Sequence, residues 1–365
     1  MVTTEIRQPA EERYAGELAA LRAADEANGA DLPPGWVLSP RAVRAFILGD
    51  EALGVERKFY GNDPLVDRAI VTLLGRQGLM LVGEPGTAKS MLSELLAAAI
   101  SGDSGLTIQG TAGTTEDHIR YSWNYALLLA EGPTERALVP SPIHQGLVGG
   151  RVVRFEEITR CAPEIQDTLV SIMSEKQLMI PEFGREARVP ARPGFTIIAT
   201  ANLRDRGVNE MSAALKRRFN FETVHPIADA AFEVELVERQ LAAELGEARD
   251  EVVVDRSVIE VLVTAFRELR TGATADGTPV KQPETVMSTA EAVNVAYAAA
   301  LEARYLGTGT VTTGQVARQL AGVALKDNAD DAKRLRFYVD NVVRERGRTD
   351  PLWKEFFTAA QDFWA

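Results

Sequence analysis

Residues 79–90 constrain this chain more than any other segment. Leu79-Met-Leu-Val82 is a fully apolar run with the character of a buried strand; Gly83-Glu-Pro-Gly-Thr-Ala-Lys-Ser90 follows directly, and Ser90 to Ile100 has the periodicity of an amphipathic helix. Strand, glycine-bearing loop and helix in that order make an anion cradle. Successive backbone N–H groups can turn toward a phosphate, and the helix N-terminus adds its dipole. Lys89 is placed to neutralise β- and γ-phosphates and the Ser90 hydroxyl to take a Mg²⁺ position. The pattern G-x-x-x-x-G-K-[ST] has glycine where this chain has Ala88. With Gly86 supplying one flexible position, alanine is acceptable there provided its φ stays negative.

A strand that follows such a loop should bring carboxylates to its C-terminal end, one near the metal and one to polarise water. Arg151-Val-Val-Arg-Phe-Glu-Glu157 has that form, with Glu156 toward the metal and Glu157 toward the attacking water. Adjacent carboxylates repel unless a cation is near, which Mg²⁺ would supply. Phe195 to Thr200 is a further strand, its tip presenting Thr200 and Asn202, and an amide there can hold water or read a γ-phosphate. Leu106 to Gln109 is another strand, with helical stretches at Leu65 to Leu74, Glu164 to Ser174 and Ser212 to Phe219. Arg217 and Arg218 end the last of these, either compensating a helix dipole or serving a phosphoryl-transfer site of a neighbouring subunit. Alternating strands and helices predict a parallel sheet covered on both faces.

Outside this block the pattern changes. Residues 1–30 read as helix, Asp31 to Trp36 as a linker, and Ser39-Pro40 as the cap of a helix carrying Val43, Phe46 and Ile47, too thin a segment for a core of its own. After His225-Pro226 the strand signals vanish. Helices are expected at Ala230 to Leu245, Ser257 to Leu269, Ser288 to Tyr305, Thr313 to Leu325 and Pro351 to Phe363, while Asp327 to Arg348 reads as a solvated helical face. The expected organisation is an N-terminal helical extension over 1–50, an α/β nucleotide domain over 51–226 and a helical domain over 227–365.

Composition narrows the function. One cysteine and three histidines exclude a disulfide framework and leave little for a zinc centre. Lys and Arg number 40 against 52 Asp and Glu, a net charge of −12, so the surface as a whole repels a phosphate backbone and nucleic-acid binding is disfavoured. Apolar runs fall short of the ~18 residues of a membrane span and no secretory signal opens the chain, so a cytoplasmic protein is expected.

Together these residues resemble the AAA+ ATPases, more narrowly the MoxR branch of the clade with an insert in its second helix. Gly83 to Ser90 is similar to the family's Walker A motif in its G-x-P-G-x-A-K form. Phe155-Glu-Glu-Ile-Thr-Arg160 is similar to Walker B, with Glu156 for the usual aspartate and Thr159 for asparagine. Ala199 to Asn202 resembles sensor 1, Leu215 to Phe219 the segment bearing a trans-acting arginine finger, and Tyr60-Gly61-Asn62 the adenine-contacting segment. The resemblance implies a P-loop NTPase-type parallel sheet flanked by helices, then an all-α lid. It also implies ATP and Mg²⁺ as cofactors. The ATP-binding residues would be Tyr60, Gly61, Gly83, Glu84, Pro85, Gly86, Thr87, Ala88, Lys89, Ser90 and Met91. Ser90 and Glu156 would serve the metal. Glu157, Asn202 and Arg218, with Arg217 as the alternative finger, would be catalytic. The family's sensor 2 arginine falls on Ala290, so that role is unassigned.

Two insertions stand apart. One carries His118, Tyr121, Trp123, Asn124 and Tyr125 and then Pro140-Ser-Pro142; its aromatics either contact a partner or form a local core anchoring a long loop. The other, Gln177 to Arg192, reads as a β-hairpin bearing Arg185, Arg188 and Arg192. The resemblance implies an ATP-driven remodelling motor, a homo-oligomeric ring, hexameric in form, working on a protein complex with a separate von Willebrand factor A domain partner. The alternatives are a nucleic-acid motor of a defence or restriction complex and an ATP-binding assembly switch without turnover.

Overall fold

The computed structural model describes residues 7–202, 207–325 and 328–364. The chain divides after Val224 into two compact units; three residues at a loop tip, Pro85–Thr87, group with the second.

The first unit is built on a five-stranded sheet. Its strands are β1 (Gly78–Val82), β2 (Thr107–Gln109), β5 (Val152–Glu156), β8 (Thr196–Ala201) and β9 (Phe219–Thr223), in the order β2-β5-β8-β1-β9 and all parallel. Two small antiparallel hairpins pair β3 (Tyr121–Trp123) with β4 (Leu138–Pro140) and β6 (Gln177–Met179) with β7 (Arg188–Pro190). The four strands expected from apolar runs are present, as is the second hairpin. The expected helix over Ser212 to Phe219 is shorter: it covers only Ala213–Lys216, capped by Ser212, and Phe219 opens the edge strand β9.

Alternation along the strands sorts the core into two layers. Leu79, Leu81, Val152 and Ile198 face one way, into a cluster with Leu92, Leu95 and Leu96, whereas Met80, Val82, Val153, Phe155, Ile197 and Ala199 face the other. The first layer is covered by α1 (Ala10–Arg13), α2 (Ala15–Asn28), α3 (Pro40–Leu48), α4 (Asp63–Leu74) and α5 (Lys89–Ser101). The N-terminal helices have no core of their own: Ala10, Leu18 and Leu21 join this layer, and Lys58 pairs with Glu17 beneath the rings of Tyr14 and Phe46. Arg7 and Arg13 reach Glu94 on α5 at 2.8 and 3.3 Å. The other layer lies under α6 (Glu116–Ile119), α8 (Pro142–Gly149), α9 (Pro163–Glu175) and α10 (Ala213–Lys216), with α7 (Tyr125–Glu131) between β3 and β4.

The insert separates its aromatics. Tyr121 is buried, stands edge-on to Trp123, and donates to Glu182 at 2.7 Å; Trp123 in turn meets Phe183 edge-on, so the two hairpins share a small core. Tyr125 and Leu129 on α7 are exposed. His118 is spent on capping its own helix through Thr115. Arg185, Arg188 and Arg192 are exposed.

The second unit is all-helical: α11 (Ala230–Leu245), α12 (Arg256–Thr271), α13 (Thr289–Leu306), α14 (Thr313–Ala324), α15 (Ala329–Tyr338), a π-helical turn at Val339–Val343, α16 (Arg344–Arg346) and α17 (Pro351–Ala360). Glu233 on α11, with no solvent exposure, binds Arg267 and Arg270 of α12 at 2.9 and 2.7 Å and accepts from Thr289 at 2.6 Å, tying three helices together. The region Asp327 to Arg348 is not the solvated face that its charges suggest. Leu335, Tyr338, Val339 and Val343 are buried in the helical core, and Asp331, 1% exposed, accepts from the backbone N–H groups of Glu284 and Thr285. The charges flank this buried stripe rather than replace it. Residue 327 of that stretch, like residue 326 before it, lies outside the described ones.

Candidate functional site

Strand parity assembles the site. Glu156 and Arg154 lie on the same face of β5 as Val152, and Thr200 lies on the same face of β8 as Ile198, so all three lie beneath α5. Ser90 and Ser93, three residues apart, share the face of α5 that meets them. The loop Gly83–Ala88 leaves the C-terminal end of β1 and enters α5, at the same edge as Glu156, Glu157 and Asn202. Parallel strands bring these three segments to one end of the sheet, which is where such folds bind ligands.

Glu156, 5% exposed, is held on both oxygens. Oε2 accepts from Ser90 Oγ and from Thr200 Oγ1, each at 2.7 Å; Oε1 accepts from Ser93 Oγ at 2.6 Å and pairs with Arg154 Nη2 at 2.8 Å. Burial pushes its pKa up, but the hydrogen bond from Ser93, the Arg154 charge and the bonds from Thr200 and Ser90 outweigh it and hold the carboxyl below the ordinary value. Lys89 is 6% exposed and donates to the carbonyls of Gly83 and Glu84 at 3.0 and 2.7 Å. Burial lowers its pKa, opposed by the charges of Glu157, Glu156 and Glu84.

Two backbone conformations are costly. Ala88 has φ +65°, so the expectation of a negative φ is wrong: the residue before Lys89 must turn left-handed to start α5, and alanine pays where glycine would not. Gly86 has φ +73°. Glu157 has φ +54° and is held there by two neighbours. Its N–H donates to Thr200 Oγ1 at 3.0 Å, and Gly110 packs against it so closely that a Cβ on residue 110 would lie 2.3 Å from the Glu157 carbonyl oxygen. Glu157 Oε2 is buried, accepts no hydrogen bond and stands 3.5 Å from Arg160 Nε. The paired carboxylates therefore have protein cations beside them, Arg154 and Arg160, and do not need Mg²⁺ to explain their adjacency.

Asn202 is buried, 4% exposed, at the end of β8; residues 203–206 beyond it lie outside the described ones. Met91 leans on the core layer under α5. Tyr60, with the Arg57 guanidinium 5.7 Å from its ring centroid, and Gly61 precede α4, which packs beside β1. Arg217 and Arg218 are not brought to the loop. The carbonyl of Arg218 accepts from Gly78 N at the start of β1, and β1 is five residues long, so they stand one strand length, roughly 13–17 Å, from Gly83. Arg217 is exposed; Arg218 Nε donates to Ser174 Oγ at 2.7 Å. Ala290 is an exposed residue in the first turn of α13, inside a capping box of Ser288 and Glu291.

The donor set fits a nucleotide and a divalent cation: a hydroxyl and a carboxylate already paired at 2.7 Å, a buried ammonium, and a buried carboxylate oxygen without a hydrogen bond. Sequence reasoning missed Arg154, Ser93 and Gly110, whose roles depend on contacts between separate elements. The i, i+2 spacing of Arg154 and Glu156 and the i, i+3 spacing of Ser90 and Ser93 were the available signals.

Residues 78–219 match the AAA domain (dynein-related subfamily), and residues 231–362 match the YehL-like AAA+ ATPase C-terminal domain. The uncharacterized protein YehL of Escherichia coli (strain K12) is 51% identical over 357 residues, covering 97% of this chain and 96% of that protein. Chaperone MoxR1 of Mycobacterium tuberculosis (strain ATCC 25618 / H37Rv) is 28% identical over 53% of this chain and 47% of its own length. Protein MoxR of Paracoccus denitrificans is 29% identical over 42% of each. With a YehL relative matched along nearly its whole length and an AAA+ model on each unit, the chain belongs to the MoxR-family AAA+ ATPases, in their YehL-like group.

Proposed function

We propose that this protein hydrolyses ATP in a ring of identical subunits and uses the cycle to remodel a protein complex. The observation that carries the reading is the arrangement at the end of β1, β5 and β8: Lys89, the Ser90–Glu156 pair and the Glu157 oxygen converge beside the loop Gly83–Ala88. Backbone N–H groups of the loop and the Lys89 ammonium would hold the β- and γ-phosphates. Ser90 and Glu156 would hold Mg²⁺, which supplies charge neutralisation on the transferred phosphoryl group. Glu157 Oε2 would orient and polarise the attacking water, and Asn202 would hold it toward the γ-phosphate.

Arg218, with Arg217 beside it, stands a strand length from its own loop, a separation that supports service to a neighbour's site and hence a ring, hexameric by resemblance. A separate von Willebrand factor A domain protein is the proposed partner, on the strength of the MoxR relationship, and the cytoplasm the proposed location. Among the described residues no helix is long and apolar enough to cross a membrane. A nucleic-acid motor is the second reading, favoured by the exposed Arg185, Arg188 and Arg192.

Phosphate release measured across protein concentration tests the proposal. Specific activity should rise with concentration and vanish in Lys89→Ala. Absence of release at every concentration leaves the assembly switch, and release stimulated by DNA moves the function to the second reading.

A further inference from the structure

The catalytic layer contains a cation that the proposed chemistry does not use. Arg154 is nearly buried, its side chain 11% exposed, and all of its donors are engaged. Nη2 meets Glu156 Oε1 at 2.8 Å and the Ser90 carbonyl at 3.1 Å, Nε donates to Ser93 Oγ at 3.0 Å, and Nη1 donates to the Ser104 carbonyl at 3.2 Å and to Thr107 Oγ1 at 3.4 Å. Ser93 Oγ closes the arrangement on Glu156 Oε1 at 2.6 Å. One oxygen of the carboxylate is thus fully occupied on the side away from the loop, and the other faces Ser90 and Thr200.

We infer that Arg154 and Ser93 form a positioning clamp that makes a glutamate serve at position 156: they tether Oε1 so that only Oε2 addresses the Ser90 hydroxyl and the cation beside it. The inference rests on the ATP and Mg²⁺ reading above. A glutamate has one more rotatable bond than an aspartate, so an untethered Glu156 would lose time in rotamers that turn both oxygens away from Ser90. A planar guanidinium fixed by five acceptors removes that freedom, which a lysine's single flexible ammonium could not do. The same reach explains the side-chain length: the carboxyl must bridge from Arg154 and Ser93 to Ser90 and Thr200, and an aspartate is one methylene short. Arg154 is a positioning residue, acting through Glu156.

The test is Mg²⁺-dependent binding of a fluorescent, non-hydrolysable ATP analogue to the full chain, with the melting temperature of each variant measured without nucleotide. The half-saturating Mg²⁺ concentration should rise at least five-fold in Arg154→Leu. It should return to within two-fold of wild type in Arg154→Leu/Glu156→Asp, because the shorter carboxylate needs no tether. Glu156→Asp alone should be impaired, its carboxyl drawn toward Arg154. Ser93→Ala, which keeps the buried ion pair and hence the fold, should raise the half-saturating concentration two- to three-fold and keeps the inference testable if Arg154→Leu does not fold. An unchanged or lowered Mg²⁺ requirement in Ser93→Ala and Arg154→Leu overturns it, as does failure of Glu156→Asp to restore the double variant. If wild type binds the analogue without any Mg²⁺ dependence, or does not bind it, the ATP and Mg²⁺ reading itself falls and the inference with it.

Discussion

Replacing Thr200 by valine separates structural from chemical contributions at this site, because the two side chains have nearly the same shape. Thr200 has no solvent exposure, and its hydroxyl has two tasks: it donates to Glu156 Oε2 at 2.7 Å and accepts from the Glu157 N–H at 3.0 Å. Losing a hydrogen bond to a charged group costs about 1.5–3 kcal/mol, and stranding a buried N–H costs about 1–3 kcal/mol more. Against this stands relief of the left-handed Glu157 backbone, about 1–2 kcal/mol, which the Thr200 bond helps maintain. The net loss is about 2–4 kcal/mol, and for a unit of this size each kcal/mol moves the melting temperature by about 2–4 °C. Thr200→Val should therefore melt roughly 5–15 °C below wild type. It should also hydrolyse ATP at least ten-fold more slowly, since a Glu157 free to leave φ +54° no longer aims its carboxyl. Differential scanning calorimetry and phosphate release measure the two effects, and Thr200→Ser should restore both. A Thr200→Val protein that melts within a degree of wild type and turns over normally would refute the argument that this hydroxyl holds the two carboxylates in place.

Further outcomes follow from single contacts. Ala88→Gly should raise stability by up to ~1 kcal/mol, the left-handed cost of alanine being only partly offset by the greater freedom of glycine in the unfolded chain, as read from the denaturation midpoint. Removing Glu233 strands two arginines against a buried pocket, so Glu233→Ala should cost about 3–5 kcal/mol in chemical denaturation. Asp331 has a pKa below the ordinary aspartate value: burial pushes it up, but the N–H groups of Glu284 and Thr285, the Thr285 hydroxyl and Arg334 pull it lower still. Its stabilising effect is therefore present above the ordinary aspartate value and lost as pH falls through the depressed one, and an acid titration by circular dichroism should be shallower in Asp331→Asn.

What the sequence disclosed depended on how local the signal was. The loop Gly83–Ser90 and the strands at Leu79 and Phe195 were legible because strand, turn and helix are contiguous and each strand is buried on both faces. The edge strand at Phe219–Thr223 was not: Asn220 and Glu222 break the apolar run, and the helical pattern that begins at Ser212 was read through to Phe219. The charges of Asp327 to Arg348 concealed a stripe of Leu335, Tyr338, Val339 and Val343, since a helix needs only one apolar face to be anchored. At the site, residue identities and strand ends could be read, but the sign of φ at Ala88 could not, nor could the engagement of Arg154 with Glu156 on the face under α5. The first requires the backbone, and the second requires knowing which side of β5 the helix covers.

In the proposed function each site uses Glu157 of its own chain and Arg218 of a neighbour. Glu157→Gln and Arg218→Ala should each bind ATP and release almost no phosphate, and the decisive measurement is phosphate release after mixing the two. In a ring assembled at random from equal parts, about one interface in four joins an intact Glu157 to an intact Arg218, so activity should return to about a quarter of wild type. If Arg218→Ala hydrolyses normally on its own while Arg217→Ala is inactive and recovers on mixing with Glu157→Gln, the finger is Arg217. If neither mixture recovers, or if Arg218→Ala and Arg217→Ala hydrolyse normally alone, the site is not completed by a neighbouring subunit.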